Sequence, residues 1–508
     1  MTNCCSCAPT IPASSVTACD VLVIGGAGVA RDAALRGLKV ILHEKGDFAS
    51  GTSGSSSRLL HGGLRYLGQG RIGLVWEAST EKVTLGEIAP HLAQPLPFLF
   101  PSYSGSDWPR WKLTIGVKVY DLLCSGKNFG KSQSMNRAQM LEAAPGLTPE
   151  GLNGGVRYFD GFTQDARLVL DTLRSAVIAG AAVHNYSEAM ITDTSATATA
   201  TATGLWEVRH RCRQCNREST SITRSVINAA GPWATKFGHS EIKLRLTKGV
   251  HLVVPADRLP VSAAMVMPEG NRILFAIPWG ERTIIGTTDT DFSGNRDKVR
   301  CTTEDRDYLL EIVNRYFPSA HLCAADVRST WAGLRPLIAP SGTVEANAPS
   351  DISRSHKILM PQPGWFDVAG GKLTTYRIIG EQAIDRAMEH LQRAGQATHQ
   401  RHSKTAHQPL LPDSGDVSRI NGISAVLPPR VSREAVEHFC QHEWARHLAD
   451  IMVRRTSWVH YLDDHRGIAR QVAQWMAACL HWSPERTADE VADYEKLADA
   501  LESLSPDA

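Results

Sequence analysis

Residues 20–44, DVLVIGGAGVARDAALRGLKVILHE, constrain the fold more than any other stretch of the chain. Val21, Leu22, Val23 and Ile24 form a short β-branched apolar run, as a buried parallel strand requires. Gly25, Gly26 and Gly28 punctuate a turn. Ala27, Ala30, Ala33, Ala34 and Leu35 then recur at helical spacing until Gly37 ends the helix. Val40, Ile41 and Leu42 make a second strand, closed by Glu44. The order is that of a dinucleotide-binding βαβ unit. Backbone N–H groups and the helix dipole hold a pyrophosphate, and the acid holds a ribose hydroxyl. The fingerprint is imperfect: read from Gly26, Arg31 stands where the third glycine belongs, and the turn is short.

At 508 residues the chain is long enough for two or three domains. A formal net charge of +2 gives no reason to expect nucleic acid as a partner. No apolar run reaches the ~18 residues that span a bilayer. The first ten residues, MTNCCSCAPT, lack the basic start and apolar core of a signal peptide. Eleven scattered cysteines make no disulfide framework and point to a reducing cytosol. Cys212 and Cys215 form one C-x-x-C without a second pair, so we expect a polar hairpin with two free thiols rather than a zinc site.

Residues 1–18 read as a tail. Residues 46–70 open with a Gly- and Ser-rich loop just after the second strand, placed to nest backbone donors against a ligand. Helices are expected over 72–91, 112–124, 165–180 and 304–316. Strand-like segments fill much of 225–292 and 329–337. Residues 365–377, WFDVAGGKLTTYR, read as a last strand, glycine turn and helix start. The repeat at 194–204 reads as a hairpin tip. Two apparent motifs fail: GKNFGKS at 126–132 is one residue short of a phosphate loop, and HEWARH at 442–447 puts its second His at i+5, off a zinc-binding helix face. No metal site is expected.

Seven stretches together carry a resemblance. They are SSSRLLHGGLRYL (55–67), YFDGFTQDARLVL (158–170), NAAGPW (228–233), KGVHLVVP (248–255), IPWGERTIIGTTDTD (278–291), WAGLRPL (331–337) and GGKLTTYR (370–377). In this order the chain resembles the FAD-dependent, quinone-linked sn-glycerol-3-phosphate dehydrogenases. The resemblance implies an α/β fold with a glutathione-reductase-like, Rossmann-type FAD domain assembled from residues 19–95, 150–240 and 345–400. It implies a β-rich substrate (cap) domain from 96–149 and 241–344, and a C-terminal α-helical domain over 415–505. It further implies FAD as cofactor, sn-glycerol 3-phosphate as substrate and a quinone as acceptor. Peripheral attachment to the inner face of the cytoplasmic membrane and a homodimer are family expectations.

A phosphorylated polyol needs fixed cations, and arginine is the planar, bidentate donor for phosphate. By resemblance, Arg65, Tyr66, Arg335, Arg354 and Lys372 surround the substrate, and His251 lies beside the reacting carbon. A neutral imidazole there can take the C2 hydroxyl proton, with Arg335 as the rival for that role. Glu44 would hold the adenosine ribose. Gly25, Gly26, Gly28, Ser53, Ser56 and Ser57 would line the pyrophosphate or isoalloxazine, and Gly371 and Thr374 the ring or ribityl chain. Family members carry a turn close to Gly-Gly-Gly-x-x-Gly-Ala-Gly, about four residues longer than this one. Losing charge-assisted hydrogen bonds worth about 1.5–3 kcal/mol each would weaken FAD binding, unless the helix N-terminus slides to meet the phosphates. The alternatives are an oxidase that uses oxygen and a homologue that has lost FAD and turnover.

Overall fold

The strand Val16–Gly25 lies at the centre of a mixed sheet with a parallel core in the computed structural model. The structure describes residues 16–190, 198–200, 204–270, 272–339, 355–395, 402–411 and 422–502. The strand pairs in parallel with Val40–His43 on one side and Glu218–Ala229 on the other. Ala182–His184 and Trp365–Gly370 extend the parallel sheet outward, and His356–Gln362 closes one edge antiparallel. Val21, Leu22 and Val23 are wholly buried because the sheet is covered on both faces. On one face, Val21 and Val23 share a core with the helices Ala27–Leu35, Asp165–Ile178 and Tyr376–Arg393. On the other, Leu22 and Ile24 meet Trp206 of the antiparallel strand Trp206–Cys212.

A second, mainly antiparallel sheet carries the strands Leu244–Pro255, Arg282–Gly286, Arg272–Trp279, Ala264–Glu269, Gln94–Tyr103 and Leu152–Phe162. Ser329–Ile338 pairs with Leu244–Pro255 along its whole length. Alternation divides the faces. Val250, Leu252 and Val254 pack toward the helix Thr303–Tyr316. Val253 packs on the opposite side, with Val75 of the helix Ile72–Ile88 and Leu113, Val117 and Tyr120 of the helix Arg110–Leu123.

The C-terminal helices Arg433–His442, His465–Leu480 and Pro484–Glu502 enclose their own core around Phe439, Trp458, Val472 and Met476. Buried ion pairs fix them to the first sheet. Arg167 grips Glu443 with both terminal nitrogens, and Asp47 pairs with Arg454 and Arg455.

Two readings change. The first strand starts at Val16, inside the segment read as a tail, because its outer half pairs with the long strand Glu218–Ala229. Residues 1–15 and most of the 194–204 repeat lie outside the described residues, although 198–200 form a strand. Residues 152–162 belong to the second sheet, so the chain re-enters the first layer near Asp165 rather than at 150. The Cys212/Cys215 turn joins two antiparallel strands, as the hairpin reading expects.

Candidate functional site

The carboxyl ends of the parallel strands, where an open α/β sheet binds ligands, open on one cleft of about 930 Å³. Gly25, Glu44, Ala229 and Gly370 stand at those ends. Two residues, Gly25 and Gly26, carry the chain from strand to helix, at φ of +69° and +71°. Only glycine takes that conformation cheaply. A side chain at Gly25 would also stand 2.8 Å from the carbonyl of Ala229. The helix starts at Ala27, so the turn is as short as the sequence indicates. Even so, Gly26, Ala27, Gly28 and Val29 line the cleft. The Val29 and Ala30 amides bond back to the Gly26 carbonyl at 3.0 and 3.2 Å, so the Ala27 and Gly28 amides are the ones left without a partner inside the helix, at its cleft end. Glu44 accepts a hydrogen bond from the Gly46 amide at 3.1 Å, while burial raises its carboxyl above the usual range.

The loop after Glu44 supplies Ser53, in a turn at Thr52–Gly54, and Ser56 and Ser57. Ser56 gives both its amide and its hydroxyl to Asp165, at 2.8 and 2.7 Å. Ser57 shares a 2.7 Å hydrogen bond with Nε2 of His251. Gly371 lines the cleft at φ +82°, and the Thr374 hydroxyl accepts from the His61 amide at 3.0 Å.

The second sheet forms the facing wall. His251 sits opposite Gly286 on one neighbouring strand and Trp331 on the other, and its ring stacks on Trp331 at 5.2 Å. A side chain at position 286 would collide with the imidazole. Burial, then Arg335 and then Arg58 hold the His251 pKa well below the usual histidine range, so the ring is neutral near pH 7. Arg335 lies over Gly249, where any side chain would displace its guanidinium. It donates to the Thr288 carbonyl at 3.0 Å, Asp289 at 3.1 Å and the Thr287 hydroxyl at 2.9 Å.

Lys372 lines the cleft, its Nζ 4.5 Å from the centre of the Tyr66 ring. Arg65 donates to the Tyr66 hydroxyl at 3.0 Å. Arg65 and Tyr66 thus reach the site through Lys372 rather than by lining the cavity. Arg354 lies outside the described residues. Sequence reasoning missed Asp165, Asp289, Trp331 and Arg58. Of these, Asp165 alone had a local signal, an acid at the start of a helix.

The cavity fits a flavin dinucleotide at three points: a glycine turn with open N–H groups, a buried acid at the end of the second strand, and a hydroxyl-rich loop leading to a histidine. Among the described residues no group of His, Cys, Asp or Glu could hold a metal ion.

Comparison with known proteins follows the same division. The family of FAD-dependent oxidoreductases matches residues 20–385, and the C-terminal domain of alpha-glycerophosphate oxidase matches 420–487. A glycerol-3-phosphate dehydrogenase of Mycobacterium leprae is 35% identical, over 96% of this chain and 90% of its own. The solved glycerol-3-phosphate dehydrogenase of Bacillus halodurans, complexed with FAD, superposes with a TM-score of 0.76 at 28% identity, covering 98% of this chain and 97% of that one. L-alpha-glycerophosphate oxidase of Mycoplasma pneumoniae shares the fold, with a TM-score of 0.57 at 17% identity over 74% of this chain and 95% of its own.

Proposed function

The chain belongs to the FAD-dependent glycerol-3-phosphate dehydrogenase family, and from that premise we propose that it oxidises sn-glycerol 3-phosphate to dihydroxyacetone phosphate. The observation that carries this reading is the meeting of Lys372, Arg335 and the neutral His251 in the cleft that holds the glycine turn. Bound FAD supplies the acceptor for the hydride from C2. Arg335 and Lys372 are the fixed cations for the substrate phosphate, with Tyr66 against Lys372 and Arg65 on the Tyr66 hydroxyl behind it. His251 receives the C2 hydroxyl proton, and the Ser57 hydroxyl that shares a hydrogen bond with its Nε2 holds the ring in place. Arg335, fixed by Asp289 and two threonine oxygens, stabilises negative charge on the C2 oxygen as that proton leaves.

A membrane quinone is the acceptor we favour for the electrons. No helix among the described residues is long and apolar enough to cross a membrane, and the contact we propose with a lipid acceptor is at a surface. The helix Arg110–Leu123 suits that contact. Leu113, Val117 and Tyr120 are buried in the core, yet Trp111, Ile115, Val119 and Leu122 form a second apolar stripe facing outward. Trp111 is 67% and Leu122 76% exposed, and Ile72 and Trp76 of the adjoining helix are exposed as well. Arg110, Lys112 and Lys118 flank the stripe, with no acid between 108 and 120. Tryptophan and lysine side by side on an amphipathic helix suit an anionic bilayer surface. The same helix packs on the turn that carries Arg65 and Tyr66.

The test is anaerobic addition of sn-glycerol 3-phosphate to the FAD-loaded protein. Loss of flavin absorbance supports the reading, and an unchanged spectrum overturns it. Reoxidation by a short-chain quinone without hydrogen peroxide marks a dehydrogenase, whereas stoichiometric peroxide in air marks an oxidase.

A further inference from the structure

Ser57 leads into a residue that the proposed chemistry leaves unused. Arg58 is 4% exposed and takes φ +57°, a conformation costly for a side chain of this size. Its guanidinium lies 4.3 Å from the ring centre of Trp279 and 4.9 Å from that of Trp331. It donates to the Ser457 hydroxyl at 3.1 Å, the one hydrogen bond this side chain makes among the described residues. The nearest carboxylate oxygen, on Asp165, is 4.0 Å away. Ser457 belongs to the C-terminal helical region, is itself at φ +58°, and also receives the Gln164 amide at 3.1 Å.

The two serines before Arg58 and the tryptophan beside it all bear on His251. Ser56 accepts from the Trp331 indole at 3.1 Å, Trp331 stacks on His251, and Ser57 bonds to Nε2. We propose that Arg58 is a positioning residue that ties the C-terminal helices to the His251 wall of the cleft, holding Trp331 against the imidazole and placing a permanent positive charge behind it. A buried, incompletely neutralised guanidinium is expensive. The charge acts on the proton. The ionisable groups around His251 are Arg335 with its counter-ion Asp289, Arg58 with the more distant Asp165, and His460 across Trp331. Of these, Arg335 and Arg58 oppose protonation of His251, and burial drives His460 itself down to about 3.

This proposal rests on the reading of His251 as the proton acceptor, and its test separates the two. The FAD-loaded protein labelled with ¹⁵N-histidine is titrated by NMR, with His251→Asn identifying the resonance, alongside the pH dependence of kcat/KM. Arg58→Met and Arg58→Gln remove the charge, Arg58→Lys keeps it, and Ser457→Ala removes the tie. The expected result is a His251 midpoint raised by about one unit in Arg58→Met and Arg58→Gln, with the acid limb of kcat/KM rising in step. Arg58→Lys restores the wild-type midpoint. Ser457→Ala lowers kcat severalfold at an unchanged KM. Coincident midpoints in wild type and Arg58→Gln overturn the proposal, as does a wild-type kcat in Ser457→Ala should the charge-removing variants fail to fold. A shifted midpoint in a protein that does not bleach with substrate refutes the proposed function and leaves this inference standing.

Discussion

His43 and His210 stack ring on ring, with centroids 4.0 Å apart and planes 29° from parallel, and His184 lies 5.4 Å from His43. His43 ends the second parallel strand, directly before Glu44. His43 lines the cleft beside that acid, and the other two rings pack on it. Burial lowers all three pKa values, His210 to about 4 and His43 well below the ordinary range. An unfolded histidine titrates near 6.5. The folded state takes up these protons at lower pH than the unfolded state, so the stabilisation is complete above about 6.5 and is lost as pH falls toward 4. Thermal melts should be level between pH 7 and 8 and fall steeply below 6.5. His210→Gln removes one of the buried bases and should flatten that fall. Parallel slopes for the two proteins would assign the acid sensitivity elsewhere.

His251→Asn keeps a side chain of similar size and removes the base. We expect kcat to fall by about 10²–10⁴, with the FAD absorbance of the purified protein unchanged. In wild type, burial and two neighbouring cations keep the imidazole neutral. The acid limb of kcat/KM should therefore lie below pH 6.5. A limb above 7 would give the proton to another group.

Lys372→Met removes one phosphate cation, whose Nζ lies 4.5 Å from the Tyr66 ring centre, and keeps an unbranched side chain of similar length. A charge-assisted contact is worth about 1.5–3 kcal/mol. The KM for sn-glycerol 3-phosphate should rise about 10- to 100-fold, while that for a quinone acceptor stays put. Arg335→Lys should lose more in kcat than in KM, because lysine cannot hold the Thr287, Thr288 and Asp289 oxygens together.

Trp111→Glu and Leu122→Glu place charge in the exposed stripe without touching the buried one. Cosedimentation with anionic lipid vesicles should drop at least about tenfold, with activity toward a water-soluble electron acceptor retained. Binding that is equal in wild type and variants would move the membrane contact to another face.

What the sequence disclosed and what it hid divide along chain distance. The run Val21–Ile24, the glycine turn and the acid Glu44 signal locally, since a buried parallel strand and a tight turn each impose composition on adjacent residues. Leu152–Phe162 reads equally well in either sheet. Its partner Gln94–Tyr103 decides, and register between distant strands leaves no local trace. Nothing beside Arg58 in the chain marks it as buried, because its hydrogen-bond partner Ser457 is 399 residues away. The histidine trio was invisible for the same reason: it joins residues of three strands at 40–43, 182–184 and 206–212. The cationic cluster was legible only because Arg335 and Lys372 stand in long motifs beside glycines.

The shortened turn invites repair. The first helix cannot slide along its axis, because it is pinned glycine to glycine. A side chain on Gly28 would stand 2.8 Å from the Tyr376 carbonyl, and one on Gly380 would stand 2.6 Å from the Gly28 carbonyl carbon. Residues added between Gly26 and Ala27 must therefore lengthen the helix at its cleft end rather than push it away. Inserting Gly-Ser-Thr-Gly restores about one turn and brings further N–H donors to the pyrophosphate. With the strand, Glu44 and the serine loop unaltered, the dissociation constant for FAD should fall about tenfold or more, read by flavin fluorescence on the deflavinated protein. An unchanged constant would mean that the loop at 46–57 already supplies the donors that the turn has lost, and that the deletion is neutral for the cofactor. A weaker one would mean that the open end of the helix, where Ala27 and Gly28 now line the cleft, is itself the phosphate seat.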